Sequence, residues 1–82
     1  MDRDELPVPM LRAAVDGDVA TVRRFLKEGQ APDAQNVIGQ TALHFASMWG
    51  HAESVGALLD AGADVNIEND DGATPLFYAV RK

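Results

Sequence analysis

Shifted by 33 residues, the chain lies over itself. Gly39 falls on Gly72, Thr41 on Thr74, Leu43 on Leu76 and Ala46 on Ala79. Backwards, Ala13 falls on Ala46, Gly17 on Gly50, Val22 on Val55, Leu26 on Leu59, Gly29 on Gly62 and Asn36 on Asn69. The matches run through the whole period. They involve glycines and core-type aliphatics, the residues that fix backbone and packing. A fixed period of roughly 20–50 residues marks a protein built by stacking similar units. With 82 residues, the chain is expected to form one small domain, 1–82, near the lower size limit for independent stability.

One period has a direct physical reading. Thr41 precedes a helical segment, ALHFASMW, and is placed to cap it. Gly50 ends that segment and permits a tight turn with positive φ. A second helical segment, AESVGALLDA, puts Val55, Leu58 and Leu59 at i, i+3 and i+4, on one face. Val22, Phe25 and Leu26 are the equivalent trio one unit earlier. Gly29 and Gly62 stand just past these second helices, where a C′ glycine belongs. The following ADVNIENDDG has the Asp, Asn and Gly of a projecting turn or hairpin. Phe25, Phe45, Leu58 and Leu59 are the expected core, and Leu59→Ala is expected to cost roughly 2–5 kcal/mol.

The stretch from Gly39 to Asp70 resembles an ankyrin repeat. The family's threonine–proline–leucine–histidine tetrapeptide stands here as Thr41-Ala42-Leu43-His44 and again as Thr74-Pro75-Leu76-Phe77. Gly50-His51 and Gly62-Ala63-Asp64-Val65-Asn66 fit the rest of the pattern. The first unit, opening at Pro9-Met10-Leu11, lacks both threonine and histidine and resembles an N-terminal capping repeat. The resemblance runs from about Leu6 to Lys82, with units of about 6–38, 39–71 and an incomplete 72–82. It implies an all-α, ankyrin-type helix-turn-helix solenoid with β-hairpin-like loops. It also implies that Thr41 and His44 tie down the turn before the first helix and bind the neighbouring loop. His51 would sit in the turn between helices.

Chemistry is poorly supported. Phe77 fills the place of His44 one unit later, so that position does not require acid–base function. His51-Ala52-Glu53 has the H-x-E spacing of nucleobase deaminases, which need cysteine ligands, and the chain has no cysteine. The run from Asp64 to Glu68 begins like a calcium loop. Asn69 and Pro75 then stand where that loop needs glycine and glutamate. Asp70-Asp71 falls at a loop tip. There is no nucleophile–base pair, glycine-rich phosphate loop or HExxH motif. The expectation is no enzyme, no cofactor and no metal.

What remains is binding. By resemblance to the family, partners meet the loop tips and the exposed ends of the first helices. On this chain those positions are Val37, Ile38 and Gln40, then Asp70, Asp71 and Ala73. The helix ends add Val15 and Asp16, Met48 and Trp49, and Arg81 and Lys82. Val37-Ile38 puts two β-branched aliphatics at a loop tip, and Trp49 is the only tryptophan. Tryptophan is enriched at binding hot spots, and methionine adapts to irregular surfaces. An apolar patch of Val37, Ile38, Met48 and Trp49 bordering one groove, rimmed by Asp16, Asp70 and Asp71, is expected.

The net charge of −6 fits such a rim, because no Lys or Arg occurs between Lys27 and Arg81. This distribution disfavours nucleic acid and anionic membrane. It favours another protein with a basic segment and a hydrophobic anchor. The segment MDRDELPVP lacks the basic start and apolar run of a signal peptide, so cytosol or nucleus is the expected location.

Ala79-Val80-Arg81-Lys82 falls inside the first helix of the third unit. The second helix, which should cover Leu76, Phe77 and Val80, is not in the sequence. Two expectations follow: a piece or short form of a longer ankyrin protein, or an uncapped end that self-associates or meets a partner. The functional expectation is an adaptor, scaffold or inhibitory binding subunit. The alternative is a regulatory ankyrin segment of a larger enzyme or channel.

Overall fold

A computed structural model describes residues 8–81, with side chains for residues 9–79. The expected start of the first unit at Leu6, the side chains of Val80 and Arg81, and Lys82 lie outside the described residues. Five helices follow one another: α1 (Val8–Asp16), α2 (Val19–Lys27), α3 (Ala42–Met48), α4 (Ala52–Asp60) and α5 (Pro75–Arg81). The first helices α1, α3 and α5 stack side by side, and α2 and α4 form a second layer behind α1 and α3. No strand occurs among the described residues. The loops are hairpin-like only in their hydrogen bonding, where Asn36 N–H donates to Gln40 O and Asn69 N–H to Ala73 O, each at 2.9 Å.

Local chemistry explains the helix ends. Thr41 is extended, with φ −107° and ψ 171°, and its hydroxyl accepts from the N–H of His44. The His44 ring returns the bond by accepting from Thr41 N–H, so histidine does here what glutamate or glutamine does in the usual capping box. Asp18 caps α2. The Thr21 hydroxyl, 2.6 Å from its Oδ2, and the Thr21 amide hold its carboxyl below the ordinary value of 3.8. Helix α3 ends at Trp49, and Gly50 takes the left-handed conformation (φ 73°) expected for it.

The core lies between the two layers. Met10, Leu11, Ala13 and Ala14 of α1 meet Val22 of α2, Ala42, Leu43 and Ala46 of α3, and Leu58 of α4. Alanines let the helices approach closely, and Met10 and Leu58 are fully buried. Phe25, Leu26 and Phe45 pack against this cluster from its edges.

Leu59 corrects the expected core. It is 44% exposed, whereas Leu58 is at 0%. The trio Val55, Leu58 and Leu59 does share one side of α4, but that side is wider than the buried stripe. Ser54, Ala57 and Leu58 point into the stack and are buried. Val55 and Leu59 flank it and border a cavity. Leu58→Ala should therefore cost about 2–5 kcal/mol and Leu59→Ala less than half as much, measured by urea unfolding. Equal losses would contradict this core.

Candidate functional site

The loops carry half of the positions expected to meet a partner. Each is built around an asparagine. Asn36 Oδ1 accepts from the N–H of Ile38 at 3.1 Å and of Gln40 at 2.9 Å. One unit later Asn69 Oδ1 accepts from Asp71 N–H at 2.9 Å and Ala73 N–H at 3.0 Å. This side-chain-to-backbone pattern substitutes for strand pairing and fixes the turn. It leaves Val37 and Ile38, 49% and 53% exposed, at one tip, and Asp70 and Asp71, both exposed, at the next.

The two tips touch. Asp70 N–H donates to Ile38 O at 3.0 Å. Gly39 adopts φ 80°, and a Cβ built there would lie 3.0 Å from both Asn69 Cα and Asp70 N. Val37-Ile38 and Asp70-Asp71 therefore form one continuous, braced edge with apolar and acidic parts.

His44 holds this edge from beneath. It is fully buried. Its Nδ1 takes the Thr41 N–H at 3.1 Å, with the Thr41 hydroxyl at 2.9 Å, and its Nε2 lies 2.8 Å from Ala73 O. A carbonyl can only accept, so Nε2 carries the proton. Both nitrogens are committed to structure. His51 does similar work at the far end of the helices, where its Nε2 lies 2.8 Å from Val15 O and ties α4 to the end of α1.

Gln40 is a correction. It was expected on the contact face, but it is 6% exposed, and its Oε1 accepts from Asn69 Nδ2 at 2.9 Å. Asn69 Nδ2 also lies 2.9 Å from the Tyr78 hydroxyl, so this amide network links loop to loop and to α5. Ala73 is half-buried, and its carbonyl is shared by His44 and Asn69. The two asparagines are the residues that the contact-surface reasoning missed. The coincidence of Asn36 with Asn69 in the 33-residue repeat was the available signal.

Met48 and Trp49 stand apart from the loop edge. Trp49 is 53% exposed and Met48 is half-buried. From the Thr41 cap to Trp49 helix α3 rises about 12 Å at 1.5 Å per residue. The expected single groove joining Val37-Ile38 to Met48-Trp49 is thus replaced by two regions at opposite ends of α3. Asp16, the position equivalent to Trp49 in the first unit, pairs with Arg12 at 3.5 Å. Both partners are well exposed, which makes the pair a weak contribution.

Among the described residues no group of three or more His, Cys, Asp or Glu is placed to hold a metal ion, and no helix is long and apolar enough to cross a membrane. Asp64, the would-be start of a calcium loop, instead organises its own turn: its Oδ1 accepts from Asn66 N–H, and its N–H donates to Asp33 Oδ1, both at 2.8 Å.

The braced edge has a direct test in its glycine. Gly50 has a similar φ with open space around its Cβ position. Gly50→Ala should cost only the left-handed penalty of about 1–2 kcal/mol. Gly39→Ala should cost about 1 kcal/mol more, because backbone must move. Equal losses in urea unfolding would show that the loops do not meet as described.

Comparison with known proteins agrees with this architecture. A family model described as ankyrin repeats (3 copies) matches residues 10–82. An ankyrin repeat-containing protein of Schizosaccharomyces pombe is 40% identical over 79% of this chain and 31% of its own length. An inactive serine/threonine-protein kinase of Mus musculus is 37% identical over 93% of this chain and 5% of its own length. A probable E3 ubiquitin-protein ligase of Oryza sativa subsp. japonica is 39% identical over 88% of this chain and 14% of its own length. The chain thus spans well under half the length of these curated relatives. The ankyrin repeat is a non-catalytic, protein-interaction fold. With its two layers of paired helices, its capped turns and its repeat match over residues 10–82, this chain belongs to the ankyrin-repeat family.

Proposed function

We propose that the chain recognises another protein through its loop edge, with Val37 and Ile38 as the apolar contact and Asp70 and Asp71 as the acidic one. The observation that carries this reading is the exposure of two β-branched aliphatics on a turn already fixed by Asn36 and by the neighbouring loop. A loop ordered before contact loses little conformational freedom on binding. Apolar surface next to carboxylates suits a partner segment with a hydrophobic anchor and adjacent Lys or Arg. Trp49, with Met48 beside it and Asp16 one unit away, offers a second contact at the other end of α3. Arg81 extends that row of helix ends. In this role the chain acts by occupancy, as an adaptor, scaffold or inhibitory subunit in cytosol or nucleus.

A second reading rests on the relatives. The segments of them that match this chain make up as little as 5% or 14% of longer proteins, one named as an inactive kinase and one as a probable ubiquitin ligase. The chain would then be the targeting segment of a larger protein. Both readings use the same edge, and sequencing the transcript past the codon for Lys82 separates them.

The test compares the chain with Val37→Ser/Ile38→Ser and with Met48→Ala/Trp49→Ala, each matched for helicity by circular dichroism. All three serve as bait in cytosolic and nuclear extract. Under this proposal a protein retained by the parent chain is lost at least tenfold by the loop variant, and its retention weakens with salt. Equal retention by all three forms would overturn the loop edge as the binding site. Loss only with the Trp49 variant would move the site to the helix ends.

A further inference from the structure

The sequence holds two Asp-Gly pairs, Asp16-Gly17 and Asp71-Gly72, and the fold treats them differently. Asp16 is the last residue of α1, and its carboxylate pairs with Arg12 at 3.5 Å. Gly17 lies under the His51 ring, where a built Cβ would come within 2.7 Å of ring atoms. Asp71 and Gly72 are both exposed at a loop tip, outside any helix. Among the described residues no ion pair holds the Asp71 carboxylate. Apart from its chain neighbours, only Glu68 Oε1, at 3.9 Å, comes within 4 Å of a Cβ built on Gly72. Asp70 is unlike Asp71, because its Oδ1 packs against Gly39 and the residue after it carries a side chain. The same turn one unit earlier reads Ile38-Gly39 and has no carboxyl group.

We propose that Asp71 is a site of covalent isomerisation to isoaspartate, restrained by the turn built on Asn69. The Gly72 amide nitrogen attacks Cγ of Asp71. A C–N bond forms, the amide proton and the carboxyl hydroxyl leave together as water, and a five-membered imide closes. Water then adds to the Asp71 backbone carbonyl carbon and breaks the original peptide C–N bond, so Gly72 stays joined through Cγ. Water is the only co-reactant, and nothing is oxidised or reduced. Glycine favours ring closure because no side chain crowds its nitrogen. In the closed turn Gly72 N–H donates to Asn69 O and Asp71 N–H to Asn69 Oδ1, both at 2.9 Å. Attack needs that nitrogen free, so it follows local opening of the turn. The product carries an extra methylene in the backbone just before Gly72. Ala73 then cannot keep both its N–H on Asn69 Oδ1 and its carbonyl on His44 Nε2. Isomerisation therefore releases the loop edge. Loss of a partner on isomerisation rests on the loop-edge reading above, whereas the isomerisation itself does not.

The test ages the purified chain at physiological temperature and digests it with an aspartyl-specific endoprotease. Isoaspartate has the mass of aspartate but resists that cleavage, so mass spectrometry locates it. It should accumulate at position 71 and not at position 16. The rate should be higher at mildly acidic than at mildly alkaline pH, because the neutral carboxyl is the form that loses water. A synthetic peptide of residues 66–77 should react several-fold faster than the folded chain. Asn69→Ala, in a chain of unchanged helicity, should approach the rate of the peptide. The isomerised fraction of the parent chain, separated by ion exchange, should show a His44 Nε2 proton in fast exchange with water, a readout that needs no variant. Three results would overturn the proposal: equal accumulation at positions 16 and 71, a folded chain that reacts as fast as the peptide, or an isomerised chain whose His44 proton stays protected. An isomerised chain that still holds the parent's partner would instead remove the loop edge as the contact and leave the isomerisation standing.

Discussion

His44 ties two neighbouring units together with both of its ring nitrogens. Nδ1 closes the cap of α3 through Thr41, and Nε2 reaches the carbonyl of Ala73 in the next loop. A neutral imidazole is suited to this, since it offers one acceptor and one donor on opposite sides of a rigid ring. Its burial removes competing water and lets one side chain satisfy the start of a helix and the end of a turn. The T-shaped approach of the Tyr78 ring, 6.0 Å away, closes the space beside it. Both ring nitrogens and one edge of His44 are therefore occupied by structure.

This tie decides which surface is left exposed. Asn36 and Asn69 fold their loops identically, Gln40 and Asn69 join them, and His44 anchors the second from below. The helices need none of Val37, Ile38, Asp70 and Asp71 for their own closure. In a stacked repeat such spare positions form a line along one edge, so chemistry can vary there without disturbing the core. The acidic character of residues 28–80 extends this division, keeping charge on the outside while small and aliphatic residues occupy the interior.

The architecture was legible because its causes are local and periodic. The 33-residue shift gives the stacking, Thr41 and Gly50 give the ends of α3, and the tetrapeptide gives the His44 tie. Three features were not legible, each for a physical reason. The i, i+3, i+4 pattern of α4 identifies a helix side but not how many neighbours cover it, so Leu58 and Leu59 look alike in sequence. Gln40 looks like a surface residue because its amide suits water as well as another amide, and only the position of Asn69 decides. Val37-Ile38 and Met48-Trp49 look adjacent in the repeat, yet the rise of α3 separates them.

The most direct test of this account is the protonation of the His44 ring, read from long-range ¹H–¹⁵N correlations at neutral pH. The account requires a single tautomer, with Nε2 protonated and bonded to Ala73 O and Nδ1 bare, and an Nε2 proton that exchanges slowly with solvent. A ring protonated at Nδ1, or one averaging between tautomers in open exchange with water, would contradict it. In that case the loop edge would not be held as described.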